Sequence, residues 1–511
     1  MKLKRPNRQQ IILAAILILA ALLRFYRLPD WLYFTIDEER DAFIMRRILV
    51  EHRPVLIGGS IPGGLYIGPG FYYLSAIVMF FSGLNPIGEG VVASLLGVIS
   101  VYLIYKVGKL LFSRQTALFS SLFYATSYLI VVYNRIYWPL VLAPVIAIIS
   151  YYSLIMVKRK KWKFVFVLTA VAIIGAQSDP SNFSTLLLMV IFWIYYKLPL
   201  NKSVKRGIAL FFLSHLSLVL FDLRHNFLNT RALVNFFSFG KQTGSFSLAS
   251  SFAGLKIIPQ VIARTLAISG PLNISQQINP CDQYQQARTN INPAAWWLAI
   301  STLVFFVFNW FKNKRHLGYK LIGTHLAIAV LGVIFYNIFF PGYTNEWFFY
   351  VLFPAFSLII GLALTALWRR SKIICLLLVS SFIIINLHSL VNTSNDFGFK
   401  QKSQAIKYAI NQVGDKPFYL DSLGSCHSYQ GARYLFWLYG REPTASYMDP
   451  VYGDWLYPHP GLDREDLSLK VVLVSQADQE SQEFYRRYQQ YLKKTLLQKS
   501  FGRIKILIVD D

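Results

Sequence analysis

The sequence predicts an all-α polytopic membrane bundle that carries a small α/β domain at its C-terminal end. The chain has 511 residues, of which 55% are hydrophobic, and its mean hydropathy is +0.42. Many apolar runs reach the length of about 20 residues that a helix needs to cross a bilayer. Beyond residue 392 these runs stop and the composition becomes that of a soluble domain. We therefore expect a transmembrane domain in residues 1–392 and a soluble α/β domain in residues 393–511.

About eleven apolar segments are predicted to be transmembrane helices, which makes the lipid bilayer the main solvent of the chain. The first segment, residues 11–28, contains Arg24 and Arg27 and lacks a small-residue cleavage site, so we interpret it as an uncleaved helix rather than a signal peptide. The other segments are residues 87–112, 116–133, 139–157, 164–178, 183–198, 208–221, 294–311, 321–340, 347–368 and 373–390.

Basic residues predict the orientation of these helices. The formal net charge is +26, and Lys and Arg concentrate at the N-terminus and in every second junction between the apolar segments. By the positive-inside rule, the N-terminus and these junctions face the cytoplasm. We therefore predict a multi-pass protein of the cell (inner or plasma) membrane with an extracytoplasmic C-terminal domain. Because the charge is explained by orientation, nucleic acid is excluded as a partner. The basic clusters are Lys106, Lys109 and Arg114; residues 158–161; Lys202, Lys205 and Arg206; Lys312, Lys314 and Arg315; and Arg369, Arg370 and Lys372.

The remaining junctions hold acidic and mixed polar residues, which are therefore expected on the outer side. Their common side favours one site at the outer leaflet, lined by residues from several helices. An alternative interpretation is that each residue is an interfacial anchor, a helix cap or part of a local ion pair. Asp179, for example, precedes a helix expected to begin near Ser181. The candidates are Arg135, Trp138, Asp179, Asp222, Arg224, His225 and Glu346.

The first outer loop, residues 29–86, contains the acidic run with Asp37, Glu38 and Arg40. A carboxylate at the membrane surface can take a proton from an incoming hydroxyl, and a nearby Arg can neutralise a phosphate. The alternative is a solvated, amphipathic interfacial helix. Residues 69–81 also look like a transmembrane segment. A full crossing there, however, would place either the basic N-terminus or the later basic junctions on the outer side. We expect an interfacial or shallow re-entrant helix there that helps to shape a cavity beside Asp37, with Tyr66, Tyr72 and Tyr73 at headgroup depth. Tyr66 and Tyr72 are therefore candidate substrate-binding residues.

The alternation of cytoplasmic and outer junctions along the chain predicts that two further regions lie on the outer side. A long outer loop covers residues 223–293, and its segment 248–268 is predicted to form one or two amphipathic helices. In the C-terminal domain, residues 417–421, 471–474 and 504–509 are predicted strands, and residues 427–439 and 480–497 are predicted helices. Of the three cysteines, Cys375 is expected to be a packing residue, and the sequence leaves open whether Cys281 and Cys426 pair.

Several motifs of other enzyme classes are missing from the sequence. No Gly-rich phosphate loop follows a predicted strand, and no nucleophile elbow or zinc-type His/Cys spacing occurs. A nucleotide-sugar or ATP site is therefore not expected. No cofactor is predicted, and no residue pattern supports a divalent metal. A sugar donor would have to reach the outer face dissolved in lipid.

Four segments resemble the GT-C glycosyltransferases, in particular the lipid A aminoarabinose transferases and bacterial protein O-mannosyltransferases (glycosyltransferase family 39-like). Asp37-Glu38-Glu39-Arg40 looks like the Asp-Glu-x-Arg segment of that family's first outer loop, and residues 42–49 look like the helix that follows it. Residues 68–74 resemble its Pro-x-x-Tyr-Tyr helix. Residues 105–112 resemble the basic end of the next span, and residues 417–422 resemble the start of its C-terminal outer domain.

The resemblance implies transfer of a sugar, with inversion, from a polyprenyl-phosphate donor to an extracytoplasmic glycan, lipid or protein. It implies that Asp37 is the base or orients the acceptor, that Glu38 supports this geometry, and that Arg40 binds the phosphate, with Arg135 and Arg224 as further phosphate ligands. Two positions depart from the aminoarabinose transferases. Gly68 replaces a Lys and Trp138 replaces an Asp, which puts the aminoarabinose substrate in doubt and offers Trp138 as a stacking face for a sugar.

Two other classes of function stay open at this point. A transporter or flippase of lipid-linked sugars would place charged residues inside the spans, whereas this chain places them at the outer ends of the helices. A noncatalytic envelope assembly partner would depend on the C-terminal domain and not on the segment from Asp37 to Asp41.

Overall fold

The computed structural model describes residues 7–61, 64–242, 252, 254–269, 291–339, 344–395, 397–424, 431–449, 467–475 and 481–510. These residues form a mostly helical protein with a small mixed sheet near the C-terminal end. Cys281 and Cys426, whose pairing the sequence leaves open, lie outside the described residues. Cys375 is fully buried, as a packing residue should be.

The membrane part consists of helices that follow the predicted segments closely. Their bounds are α1 Arg8–Phe25, α5 Ile87–Leu111, α6 Arg114–Thr126, α7 Tyr128–Tyr133, α8 Ala143–Lys158, α9 Phe164–Ala176, α10 Phe183–Tyr195, α11 Lys202–Ser214, α12 Leu216–Arg224, α15 Pro293–Lys312, α16 Leu317–Phe339, α17 Phe353–Arg370 and α18 Lys372–Asn392. Short 3-10 turns, Pro139–Leu142, Pro180–Asn182 and Glu346–Leu352, lead into α8, α10 and α17.

All eleven predicted segments contain helix, but only eight helical stretches in the described part of the chain are long and apolar enough to span a bilayer, and one of these joins α11 with α12. The three that fall short are α9, α10 with its leading turn, and the segment divided into α6 and α7. The protein is a multi-pass membrane protein, and the prediction of about eleven crossings depends on these shorter helices.

The division between α6 and α7 falls at Ser127, whose backbone is extended. Such a break leaves polar backbone groups that lipid cannot satisfy. Neighbouring segments bond one backbone amide and one side-chain hydroxyl at this break. The Ser127 hydroxyl donates to the Thr265 carbonyl at 2.7 Å, and the Tyr128 amide donates to Asn386 Oδ1 at 2.7 Å. An uninterrupted helix was predicted because sequence periodicity does not reveal these distant partners.

The first outer loop is fully structured where it is described. It contains α2 Leu28–Trp31, α3 Ile36–Leu49, a two-stranded hairpin of β1 Ser60–Ile61 and β2 Leu65–Tyr66, and α4 Gly70–Phe81. The predicted helix over residues 69–81 is therefore present, and its depth in the membrane stays a prediction. In the long outer loop, α13 Leu228–Gln242 is followed by a 3-10 turn Gly254–Lys256 and α14 Ile257–Leu266. Helix α14 falls within the predicted helical segment 248–268.

The C-terminal domain contains a five-stranded sheet of β3 Tyr419–Gly424, β4 Ala445–Ser446, β5 Leu469–Ser475, β6 Thr495–Phe501 and β7 Ile504–Asp510, in the order β4-β3-β5-β7-β6. Strands β4, β3 and β5 are parallel, whereas β7 is antiparallel to both of its neighbours. Its helices are α19 Phe399–Val413, α20 Ala432–Leu438 and α21 Gln482–Lys493. A small α/β layer was predicted and is found.

Two details of this domain differ from the sequence prediction. Helix α19 was not predicted, and the helix predicted over residues 480–497 ends at Lys493 because Thr495 already pairs with Val509 of β7. Pairing with a central strand outweighs the local helical pattern at this edge. Part of the other predicted helix, residues 427–430, lies outside the described residues.

Contacts between the loops that join the helices divide these loops into two groups. At one end of the bundle, the loop containing Tyr66 bonds Asn229, and Tyr133 bonds Glu346. At the other end, Thr116 bonds Thr365, Lys320 bonds Tyr195, and Phe112 stacks on His316. These groups correspond to the predicted outer and cytoplasmic junctions. The assignment of each group to a side of the membrane remains a prediction.

Candidate active site

The first turn of α3 carries a run of acidic residues, an arrangement that the positive end of a helix dipole stabilises. Thr35 is the N-cap, and Glu38 closes a capping box with it: Glu38 Oε2 accepts from the Thr35 amide and hydroxyl, both at 3.0 Å. Burial, followed by the charge of Asp37, raises the pKa of Glu38 to about 7. Glu38 is therefore a buried cap that fixes the start of the helix.

Asp37 and Arg40 lie together on the exposed side of this turn. The Arg40 Nη1 group donates to Asp37 Oδ1 at 2.8 Å, and the Asp37 side chain is 59% exposed. Arg40 also donates from Nε and Nη2 to Asp41 Oδ1, at 2.9 and 2.8 Å. The structure thus brings these two predicted residues into direct contact, with Asp37 as the solvent-facing carboxylate.

Asp41 and Tyr72 hold Arg40 from behind. Asp41 is buried, and the Tyr72 hydroxyl donates to its Oδ1 atom at 3.1 Å. Burial raises the pKa of Asp41, although the Arg40 guanidinium opposes this. Burial lowers the pKa of Arg40, but the surrounding groups, Asp41 first, raise it well above its ordinary value. The guanidinium therefore stays charged and fixed. Tyr72 was predicted to bind substrate, and its observed contact is with Asp41, which the sequence analysis did not select.

The C-terminal domain packs directly on α3. Glu39 is fully buried and accepts from the Gly431 amide at 3.1 Å and the Tyr434 amide at 2.9 Å. Lys402, on α19, donates from Nζ to the Phe34 carbonyl at 2.6 Å. Neither residue was predicted, and no local pattern could have found them because their partners lie far away along the chain. The first turn of α3 is therefore held in place by contacts with the C-terminal domain.

Gly68 and Gly70, which precede Tyr72, are in close contact with Gln177. A Cβ atom on Gly68 would stand 2.6 Å from the Gln177 Cγ atom, so no larger side chain fits without movement. Gln177 is held in turn, because its Oε1 accepts from the Gly70 amide at 3.0 Å and its Nε2 donates to the Ser214 carbonyl. The place of the Lys expected from the aminoarabinose transferases is thus blocked by a glutamine from another junction.

Several predicted binding residues have structural partners. Asp222 accepts from the Asn229 amide at 2.7 Å and also binds Thr230, so it caps α13. Asn229 in turn bonds both backbone groups of Tyr66, whose ring packs on Phe221. Asp222 and Tyr66 are therefore linked to each other through Asn229.

Arg135 and Glu346 are buried polar residues at the same end of the bundle. The Arg135 guanidinium lies 3.8 Å from the ring centre of Trp31, and its Nη2 donates to the Leu23 carbonyl. Its Nε and Nη1 groups have no hydrogen-bond partner within the described residues. Glu346 pairs with Arg264, a residue that the sequence analysis missed, and accepts from the Tyr133 hydroxyl at 3.2 Å.

The other predicted residues are more peripheral. Asp179 accepts from the Ser181 amide at 2.8 Å, which is the helix-cap role named as the alternative. Arg224 is exposed, and His225 stacks on Phe221 at 4.2 Å. Trp138 packs edge-on against Trp347. In the part of the chain that the structure describes, no hydrogen bond or ion pair joins these residues to the α3 turn, and no three His, Cys, Asp or Glu side chains are grouped to hold a metal.

Comparison with known proteins decides the fold. The chain is similar in structure to ArnT from Cupriavidus metallidurans bound to undecaprenyl phosphate, with a TM-score of 0.60, 11% sequence identity and coverage of 97% of both chains. The chain has the GT-C fold. It is also similar to the Archaeoglobus fulgidus oligosaccharyltransferase tethered with an acceptor peptide, with a TM-score of 0.53, 12% identity, and coverage of 91% of this chain and 69% of that one.

One segment of the sequence also matches a protein-family model. Residues 67–223 match the model of the dolichyl-phosphate-mannose-protein mannosyltransferase family. This segment begins after α3, so the acidic turn lies outside it. No curated protein matches the sequence. The resemblance to the GT-C glycosyltransferases drawn from short motifs is confirmed.

Proposed function

We propose that the protein is an integral membrane glycosyltransferase that moves a hexose or pentose from a polyprenyl-phosphate donor to an extracytoplasmic glycan, lipid or protein. The observation that carries this proposal is the pairing of exposed Asp37 with Arg40, which Asp41 and Tyr72 hold in place. The GT-C fold and the match of residues 67–223 to lipid-phosphate-dependent mannosyltransferases support the same class.

The proposed reaction is a single displacement at the anomeric carbon. The acceptor hydroxyl attacks this carbon and its proton passes to the Asp37 carboxylate, while the bond from the anomeric carbon to the phosphate oxygen breaks. The departing phosphate keeps the bonding electrons, and the fixed guanidinium of Arg40 stabilises its growing charge. Attack from the face opposite the leaving group inverts the anomeric centre. No proton donor to the leaving group is required, because a phosphate already carries negative charge.

The remaining residues have supporting roles in this proposal. Glu38 positions the turn through its cap, and Tyr72 positions Arg40 through Asp41. Arg135, with two unpartnered donor groups, and Arg224, which is exposed, are the proposed further ligands of a lipid phosphate. The donor tail lies in a groove between helices, and the acceptor approaches from the aqueous side. The tight contact at Gly68 favours a sugar other than aminoarabinose.

Replacement of Asp37 by Asn tests the proposed base. Asn keeps an oxygen that can accept from Arg40 and removes the basicity, so transfer should fall by at least about 100-fold. The measurement is transfer of labelled sugar from polyprenyl phosphate by the purified protein in liposomes. The matched control is Glu51→Gln. Glu51 lies just beyond the other end of α3, and its ion pairs with Arg46 and Arg53 are long, with N–O distances of 3.9 Å. Full transfer by Asp37→Asn would refute the assignment.

The substrate requires a separate experiment. Mass spectrometry of envelope glycans, lipids and glycoproteins from cells with wild-type protein and with Asp37→Asn should show one sugar missing from one carrier. A transporter or an assembly partner predicts a different result, namely the same loss only when the whole protein is removed. Alanine scanning of the acidic run would not separate these classes, because Glu39 and Asp41 have structural contacts.

A further inference from the structure

A cavity of about 420 Å³ opens between α10, α15 and α16 at the end of the bundle where the basic clusters lie. Its lining combines aromatic rings with three basic side chains, and among the described residues that line it there is no Asp or Glu. The basic lining residues are Lys314, Arg315 and Lys320. This end of the molecule is opposite the junctions that contact α3.

Two lysines contact the pair of tyrosines that line this cavity; Lys320 is itself a lining residue, and Lys158 lies beside the cavity. The Lys320 ammonium nitrogen lies 3.8 Å from the ring centre of Tyr195 and 5.9 Å from that of Tyr196, and it donates a hydrogen bond to the Tyr195 hydroxyl. Lys158, at the end of α8, lies 3.8 Å from the same Tyr196 ring. Helices α8 and α16 thus each direct one ammonium group to the tyrosines at the end of α10. In the described part of the chain, no carboxylate forms an ion pair with Lys158 or Lys320.

The orientation of the protein in the membrane does not by itself require Lys158 and Lys320 to meet at the same tyrosines. The positive-inside rule is satisfied by basic residues anywhere in a loop, whereas these two ammonium groups both lie against the Tyr196 ring, 3.8 and 5.9 Å from its centre, where their like charges repel each other. A bound anion would remove this repulsion. Apolar side chains of α10, α15 and α16 complete the lining of the cavity, among them Ile191, Phe311 and Leu321.

We propose that this cavity binds the headgroup of an anionic phospholipid, with the phosphate between Lys158 and Lys320 and the acyl chains along α10 and α16. Basic pockets between transmembrane helices are suited to such headgroups. Tyr195 and Tyr196 orient the ammonium groups and offer the amphipathic rings that are typical of headgroup depth. The site is separate from the glycosyltransferase proposal, which concerns the other end of the bundle.

The test compares two double variants by native mass spectrometry of the purified protein with phosphatidylglycerol or phosphatidylcholine. Lys158→Gln with Lys320→Gln should weaken phosphatidylglycerol binding about tenfold or more. The matched control is Lys202→Gln with Lys205→Gln, which removes two exposed lysines from α11 and the same net charge. The control should bind phosphatidylglycerol like the wild type. Equal binding by both double variants would overturn the proposal.

Two further measurements identify the occupant. An excess of phosphatidylcholine should not displace bound phosphatidylglycerol, and an equal amount of undecaprenyl phosphate should not displace it either. Displacement by undecaprenyl phosphate would assign the site to the donor lipid and overturn the choice of phospholipid. A photoreactive phosphatidylglycerol should label the wild-type protein within residues 191–196 or 310–324, and labelling only elsewhere would contradict the site even if the variant failed to fold.

Discussion

The Tyr72 hydroxyl and the Arg40 guanidinium donate to the same oxygen of Asp41. Substitution of Tyr72 by Phe removes one hydrogen bond and keeps the ring. We expect transfer to fall about fivefold, the equivalent of about 1 kcal/mol, because Arg40 is then held less firmly. Tyr73→Phe is the control, since the Tyr73 hydroxyl donates to the Val55 carbonyl. The proposed role of Tyr72 would be wrong if both variants had the same transfer rate.

Glu38 makes the stability of the fold depend on pH. Its pKa rises on folding from 4.5 to about 7, so the folded state holds the proton more tightly than the unfolded state. This contribution is fully present below pH about 4.5 and is lost as the pH rises through about 7. Glu38→Gln preserves a capping box and does not titrate.

Thermal unfolding of the purified protein between pH 4.5 and 8 measures this effect. The wild type should lose up to about 3 kcal/mol over that range relative to Glu38→Gln. If the stability of the wild type and of Glu38→Gln changed with pH in the same way, the raised pKa of Glu38 would be contradicted. Substantial transfer by the variant is also expected, because Glu38 positions the helix and Asp37 is the proposed base.

At the scale of single residues, the sequence was informative where partners are close along the chain. The contact of Asp37 with Arg40 spans three residues, and the cap of Glu38 on Thr35 follows a known spacing. The partner of Glu346, in contrast, is Arg264, which lies 82 residues away in a loop whose course the sequence does not determine. Long-range ion pairs of this kind require a structure.

At the scale of elements, Glu39 connects α3 to the C-terminal domain. Glu39→Ala would leave the Gly431 and Tyr434 amides without their acceptor, at a cost of about 2–4 kcal/mol. Amide hydrogen exchange at residues 431–434 should become faster, and transfer should fall because α3 loses its support. Glu39→Gln keeps one oxygen and should give an intermediate result. Unchanged exchange in the alanine variant would show that the domain is held by other contacts.

The predicted elements were correct where hydrophobic runs or periodicity define them, as in α5, α15 and α16. They were wrong where tertiary contacts override the local pattern. The helix breaks at Ser127, where the Ser127 hydroxyl donates to the Thr265 carbonyl and the Tyr128 amide donates to Asn386. Thr495 joins a strand because β7 offers a partner. Helix α19 packs on β6, β7 and α20 of its own domain and also on α2, and the sequence analysis did not select its amphipathic pattern.

At the scale of the whole molecule, the two ends of the bundle should be on opposite sides of the membrane. Asn226 and Lys160 lie in exposed turns at the two ends. After replacement of Cys281 and Cys426 by Ser, Asn226→Cys should react with a membrane-impermeant maleimide in intact cells, and Lys160→Cys should react only after permeabilisation. Labelling of Lys160→Cys in intact cells would reverse the predicted orientation and place the α3 turn in the cytoplasm.

The contacts of Glu39 also bear on biosynthesis. Gly431 and Tyr434 follow Glu39 by 392 and 395 residues, so the helix with the proposed base meets its support only after most of the polypeptide has left the ribosome. A nascent chain that has already inserted all its spans would still lack a completed reaction centre. Premature termination before residue 431 should therefore yield an inserted but inactive product.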